Sequence, residues 1–287
     1  MKIIEITYRF EARDTPARPR PTDSNAARHR LDEGNQAFAA LLEGLVDEHG
    51  IARRILPVDS RDLGLSPSGR GAPTQRPFAA VLGCSDARVP VEFIFNEGPN
   101  DLFVVRVAGN GLGTDVLASL KYATEQLRGS LKLVVVLGHS GCGAISAAVD
   151  VFLEPAKYLP LATKHSLRNI LDRLLIVVHT SATKLSEIFG PAVTQRPGYR
   201  AALIEVAIVT NAALTAYTVQ QELGPSEASD LRAVYGVYLI ATRQIWAPRG
   251  GAEWIGLADP PRDLAAFVDF GNTVTQSDRI GALLKAE

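Results

Sequence analysis

The chain's only two cysteines, Cys84 and Cys142, lie just past short apolar runs. The first motif reads Gly83-Cys84-Ser85-Asp86-Ala87-Arg88-Val89-Pro90 and the second Gly138-His139-Ser140-Gly141-Cys142-Gly143-Ala144. Two thiolates and one imidazole suit zinc, which takes soft sulfur and borderline nitrogen donors in tetrahedral geometry. A structural zinc site normally takes four strong Cys or His ligands. There is no third cysteine, and His29, His49, His165 and His179 fall in helical or loop stretches away from these motifs. Three ligands leave a fourth position, the mark of a catalytic zinc. Asp86, two residues after Cys84, is placed to fill that position or to stand beside it. Arg88 can pair with Asp86 in a bidentate fork and hold it off the metal. Two readings without a metal compete: the cysteines as small apolar core residues, and a Cys84–Cys142 disulfide, which a reducing compartment disfavours.

The elements that must position these groups are visible as apolar runs at 78–83, 102–105 and 133–137. Such runs suit strands buried on both faces of a parallel sheet. Ligands bind beyond the carboxyl ends of strands in open α/β sheets, so if the strands at 78–83 and 133–137 are neighbours, Cys84, His139 and Cys142 converge. A helix lies between the last two runs, with Thr114 as its cap and Val116, Leu117, Leu120 and Leu127 facing inward. Leu167, Ile170, Leu171, Leu174, Leu175 and Val178 mark another amphipathic helix. Leu203, Val206, Thr210, Leu214 and Tyr217 mark a longer one, stopped by Gly224-Pro225. A final strand is expected at 233–240, followed by loop and a short helix around Leu264, Phe267 and Val268.

Toward the N-terminus, residues 9–30 read as a loop-like arm, with Pro16, Pro19 and Pro21 blocking a regular helix. Its basic residues suit a solvated surface better than a nucleic-acid site. A helix is expected to open near Asp32, with Phe38, Leu41, Leu42, Leu45 and Val46 on its buried face. Residues 57–77 read as a surface loop. The expected fold is α/β: a mostly parallel central sheet flanked by helices, with an arm at 1–30, one zinc-binding catalytic domain over 31–287, and extended loops.

Composition bounds the function. The 287 residues are 46% hydrophobic and 21% charged, ordinary globular usage that excludes collagen-like, coiled-coil and wholly disordered chains. Thirty Lys+Arg against 31 Asp+Glu leave a net charge of −1 and no sign of a phosphate-binding surface or polybasic membrane anchor. No membrane span is expected, because no run of about 18 apolar residues occurs. The N-terminal stretch lacks a signal-peptide core and the chain has few cysteines, so a cytoplasmic location is expected.

Two other motifs fail on inspection. Gly138-His139-Ser140-Gly141-Cys142 resembles the nucleophile elbow, but its last position is Cys142 where glycine is required. Gly109-Asn110-Gly111-Leu112-Gly113-Thr114 resembles a dinucleotide fingerprint, but its third glycine comes one position early. The next strand ends in His139 where an acidic ribose ligand is expected.

Together the stretches C-S-D-A-R-V and G-H-S-G-C-G-A are similar to the zinc-site motifs of β-class carbonic anhydrases. Gly34-Asn35-Gln36-Ala37-Phe38 resembles that family's N-terminal G-N-x-x-F helix. Residues 101–106 with Ala108-Gly109-Asn110 resemble its central strand and turn, and Gly236-Val237-Tyr238 its last strand. The resemblance runs from about residue 31 to 245. It implies Zn2+ held by Cys84, His139 and Cys142, a catalytic dyad of Asp86 and Arg88, and Asp86 as fourth ligand in a closed state. It also implies that Gln75 hydrogen-bonds substrate, that Gly143 borders the substrate, and that Phe103 and Tyr122 line the pocket of a neighbouring subunit. The plain alternatives are a loop glutamine capping its own backbone and two core aromatics. The implied activity is reversible hydration of carbon dioxide to bicarbonate by a homodimer or higher homo-oligomer. Ala87 replaces a serine common in the family, and the 57–74, 150–200 and arm segments look extended. Altered access of this kind keeps open a zinc hydrolase of carbonyl sulfide or carbon disulfide. A non-catalytic zinc-bound sensor or scaffold is the third reading, although a scaffold has no need of the dyad.

Overall fold

The computed structural model describes residues 3–11, 18–42, 50–65, 71–223, 231–249 and 252–285. Its strands are β1 (Ile3–Glu11), β2 (Ile51–Asp59), β3 (Ala79–Gly83), β4 (Leu102–Arg106), β5 (Leu133–His139), β6 (Arg232–Tyr238), β7 (Ile245–Arg249) and β8 (Ala252–Ile255). The α-helices are α1 (Ser24–Ala39), α2 (Val91–Ile94), α3 (Thr114–Gln126), α4 (Gly143–Leu153), α5 (Tyr158–Ala162), α6 (His165–Phe189), α7 (Tyr199–Leu223), α8 (Leu264–Thr275) and α9 (Asp278–Lys285). Six strands form one sheet in the order β4-β3-β5-β6-β7-β8. The first four run parallel, and β7 and β8 are added antiparallel. This is the mostly parallel α/β sheet expected from the apolar runs.

Burial on both faces explains why those runs do not alternate. Ala80, Leu82, Val134 and Val136 join a core built with residues of α4, α6 and α7. Ala79, Val81, Leu133, Val135 and Leu137 point the other way, onto Ala27 and Leu31 of α1 and Ile94 of α2. Helix α7 is long and apolar enough to cross a membrane by length and composition, yet 78% of its apolar window is buried inside the protein. It is apolar on nearly all sides because sheet, α6, α8 and α9 surround it. Of the face expected from spacing, Leu203 and Val206 are buried whereas Leu214 is exposed.

The N-terminal region differs from expectation. Helix α1 opens at Ser24, eight positions before Asp32, because the Asp23 side chain accepts a hydrogen bond from the Ala26 N–H and the following residues contain no breaker. Its buried face is Ala27, Leu31, Gly34, Asn35 and Ala39; Leu45 and Val46 lie outside the described residues. Gly34 is required by a close approach, since a Cβ there would sit 1.9 Å from the Phe95 carbonyl oxygen. Asn35 beside it donates to the carbonyls of Ile94 and Arg243 and accepts from the Ile245 N–H, tying α1 to α2 and β7. Two of the arm's basic residues are structural: Arg18 and Arg30 both pair with the fully buried Glu97. Pro16 and Gly224-Pro225 fall outside the described residues. Residues 57–59 belong to β2, not to a loop. Thr114 is the first helical residue, with Gly113 at the cap position and no side-chain cap bond. The last 40 residues hold more structure than expected: the end of β7, all of β8, and α9 join α8 there.

Asp32 of α1 carries a pH-dependent contribution to stability. Its carboxylate accepts the Leu257 N–H at 2.8 Å. Burial lifts its pKa from 3.8 to about 6, although that bond, Arg28 and His29 pull downward. Between about pH 4 and pH 6 the folded chain keeps a proton that the unfolded chain has released, so stability falls as pH rises through this window. The loss above it amounts to at most about 3 kcal/mol. Asp32→Asn is therefore expected to raise the urea midpoint at about pH 7.5 and to leave it nearly unchanged at about pH 4. An equal shift at both values would contradict this assignment.

Candidate metal centre

Strand order decides where the two motifs meet. Strand β3 lies between β4, which follows it in the chain, and β5, which returns to its other edge. The chain thus reverses its direction of progress across the sheet between β3 and β5, where the loops beyond the carboxyl ends diverge and open a crevice. The register pairs Gly83 with Leu137, so Cys84 leaves β3 beside the end of β5, where His139 is the last residue. Cys142 occupies the N-cap position of α4. Gly141 between them has φ of +63°, a left-handed conformation that reverses the chain and brings Cys142 back toward His139.

The outcome is one buried cluster. The donor atoms of Cys84, His139 and Cys142 all lie within 4.8 Å of one another, and both cysteines are free thiols. His139 Nδ1 contacts the Ser140 carbonyl oxygen at 3.1 Å, which assigns the ring proton to Nδ1 and leaves the Nε2 lone pair toward the thiols. That Nε2 is buried and has no hydrogen-bond partner. A buried acceptor lone pair aimed at two sulfurs fits a soft divalent cation, and the donor set matches zinc. The Cys84 thiol is held well below the ordinary range by its hydrogen bond with Cys142, with the N–H groups of Asp86 and Gly109 acting against the cost of burial. The thiolate, which this shift favours at Cys84, is the form of cysteine a metal requires.

Asp86 is turned toward Arg88 and does not join the cluster. Arg88 donates from Nε to Oδ1 at 3.0 Å and from Nη2 to Oδ2 at 2.7 Å, while its backbone N–H donates to Oδ1 at 2.9 Å. Hydrogen bonding to Arg88 keeps the Asp86 carboxyl far below the usual carboxylate range. Oδ2 lies 3.8 Å from His139 Nε2, so the ionised carboxylate borders the cluster.

Of the remaining expected residues, Gly143 adjoins the cluster, whereas Gln75, Phe103 and Tyr122 are not gathered there. Gln75 lies in the exposed stretch before β3, and Cys84 follows its other end; four residue steps of extended chain, about 13 Å, separate those ends. Phe103 on β4 is paired with Ala80, also toward the amino end, and its ring meets Tyr122 at 6.4 Å between centroids. Tyr122 is largely exposed. Gly143 opens α4 immediately after Cys142, with open space where a Cβ would point.

Four supporting residues escape a reading of the motifs. Arg106, at the end of β4, donates to the carbonyls of Cys84 and Asp86 at 3.0 and 2.6 Å and pins the first loop. Asn211 of α7 donates to the Gly109 carbonyl, whose own N–H reaches Cys84 Sγ at 3.4 Å. Glu205 of α7 accepts the Gly141 N–H at 2.9 Å, and Arg279 of α9 holds its other oxygen at 2.7 Å. A charged residue inside the otherwise apolar α7 was the available signal for Glu205; nothing local marked its target. Groups that orient first ligands commonly alter metal affinity 10–100-fold. Glu205→Ala is expected to weaken zinc retention about tenfold in chelator competition. Glu205→Gln should lose less, because its amide oxygen still accepts the Gly141 N–H; equal losses would show that only the Arg279 pair matters.

Fold and cluster together define an α/β zinc-site protein with its donors at the switch point of the sheet. The chain belongs to the β-carbonic anhydrase family: residues 79–237 match the family profile described as Carbonic anhydrase. Carbonic anhydrase 2 of Mycobacterium tuberculosis is 40% identical over 130 residues, covering 45% of this chain and 54% of that protein. A carbonic anhydrase of Mycolicibacterium smegmatis is 38% identical over 129 residues, with the same coverage of 45% and 54%. The chain thus spans about half the length of the curated relatives it matches. Among solved structures, the β-carbonic anhydrase CcaA superposes with a TM-score of 0.48 at 23% identity, over 64% of this chain and 85% of that one.

Proposed function

We propose that this chain is a zinc lyase that interconverts carbon dioxide and bicarbonate. The observation that carries the reading is the convergence of two thiols and an unpartnered imidazole nitrogen beside an aspartate that an arginine holds away from them. Cys84, His139 and Cys142 would hold the ion. Zinc bound there supplies Lewis acidity, lowering the pKa of water toward about 7 so that a nucleophile is available at mild pH. Asp86, ionised and without a proton to donate, accepts the hydrogen bond of the attacking oxygen and turns its lone pair toward the substrate carbon. Arg88 holds that carboxylate in place and off the ligand position. Gly143, with no side chain, leaves room for substrate beside Cys142.

Gln75 is assigned to a substrate oxygen, where its amide would meet the charge that grows as bicarbonate forms. Its place at the opposite end of β3 from Cys84, with Phe103 and exposed Tyr122 on the same side, supports a homodimer in which these groups serve the other copy's site. Two thiols that must stay reduced favour the cytoplasm.

Stopped-flow hydration of carbon dioxide by the zinc-loaded protein, run beside a sulfide-release assay with carbonyl sulfide, tests the activity. Rapid hydration without sulfide release is expected. Sulfide release alone would reassign the chain as a hydrolase of the same fold, and silence in both at about pH 9 would leave a zinc-bound sensor or scaffold.

A further inference from the structure

Strands β1 and β2 form a separate two-stranded parallel sheet, outside the residues matched to the family. A parallel pair is normally covered on both faces, and an isolated two-stranded sheet is marginal in water. The two outer edges are unlike. β2 carries Pro57, which has no N–H to donate to a further strand and is the usual protection against pairing. β1 is nine residues long and contains no proline, lysine or glycine. Among the described residues nothing pairs with its outer edge, and Ile3, Ile4 and Phe10 stand 44%, 41% and 39% exposed. Side chains alternate along it, so Ile4, Ile6, Tyr8 and Phe10 share one face. That face looks toward the main domain: the Tyr8 ring stacks on Phe93 at 6.0 Å, and its hydroxyl donates to the Glu97 carbonyl.

We infer that β1 pairs antiparallel with β1 of a second copy, about a two-fold axis normal to the sheet at Thr7, making one continuous four-stranded sheet. The charges select both partner and register. With the axis at Thr7, Glu5 faces Arg9 of the other copy at both ends, Ile4 faces Phe10, Ile6 faces Tyr8, and Ile3 meets Glu11 at the two strand ends. All the apolar side chains of β1's domain-facing side then lie on one continuous face, and opposite charges meet on the other. An axis at Glu5 or Arg9 sets a like charge against itself, and an axis at Tyr8 sets Glu5 against Glu11. An axis at Ile6 places Arg9 against Ile3 and Glu5 against Thr7, so no opposite charges meet among the described residues, whereas the Thr7 axis makes two Glu5–Arg9 pairs. An axis between residues would put inner and outer faces together. Two-fold pairing is self-complementary by construction, so an edge that satisfies itself needs no other partner.

This interface rests on the homo-oligomer reading above and names its contact. The full zinc-loaded chain is compared by light-scattering mass with Glu5→Arg, Arg9→Glu and the double variant. Each single reversal is expected to halve the mass of the assembly, and the double reversal to restore it. Restoration separates pairing between copies from loss of the Glu5–Arg53 contact within one copy, which the double variant does not repair. Under mild oxidation the Thr7→Cys chain should run as a disulfide-linked dimer on a non-reducing gel, and the Ile4→Cys chain should not, because only the axial residue meets itself. A parent chain that is oligomeric but insensitive to both reversals, with no Thr7→Cys cross-link, overturns this interface and leaves the oligomer intact. A monomeric parent overturns both.

Discussion

Cys84→Ala is expected to abolish zinc retention, and with it any turnover. The parent cluster offers two thiolates and one imidazole in a buried site, so the sulfurs neutralise the ion and replace its lost hydration. Removing one sulfur leaves two protein donors and an uncompensated positive charge where water is scarce. It also removes the acceptor of the Gly109 N–H, so the turn that packs against the cluster loosens. Folding will suffer as well, because metal binding and folding share one free energy. Cys84→Ser separates the two effects. Serine keeps the size and an acceptor but does not ionise at mild pH, so it should fold better than the alanine variant and still hold no zinc. Metal content by atomic absorption and thermal midpoints of the three proteins check this. An alanine variant that retains one zinc per chain would remove Cys84 from the ligand set.

Asp86→Asn is expected to behave oppositely, with zinc retained and turnover reduced about a hundredfold, the lower end of what a positioned acid–base group contributes. The carboxylate is engaged by three donors of Arg88 and stands beside the cluster without belonging to it. An amide keeps the shape but loses the charge, and its NH2 would face a guanidinium that has nothing to accept. The fork opens, and the attacking oxygen loses its acceptor. Arg88→Ala should cost activity through the same geometry, because Asp86 is then free to swing toward the metal position. Paired measurements of kcat/KM and zinc content decide the matter: loss of zinc from Asp86→Asn would make Asp86 a required ligand.

Much of this chain was legible before its fold. The runs at 78–83, 102–105 and 133–137 are strands because continuous apolar residues need cover on both faces, and α6 and α7 followed from helical spacing. Other elements were hidden for identifiable reasons. Pro248 disguises β7, and β8 is only four residues long. The prolines at 19 and 21 suggested an arm that ran on into what is in fact α1, where a single cap at Asp23 sets the start. β1 and β2 have unremarkable local patterns, and their pairing joins residues 48 positions apart, as Ile3 with Ile51.

The identity of the donors and their spacing within each motif belong to the sequence, because C-x-D-x-R and H-x-x-C are local and their chemistry follows from residue type. That the motifs face one another is a property of strand order, which places β3 against β5 and not against some other partner. The same holds for Glu205 on Gly141, Arg106 on the Cys84 loop, and Gln75 at the far end of its own strand. Local periodicity reports which face of an element is buried. Which elements share a buried face is settled only by the packing of the whole sheet and its helices, through contacts between residues dozens of positions apart that no short stretch of sequence encodes.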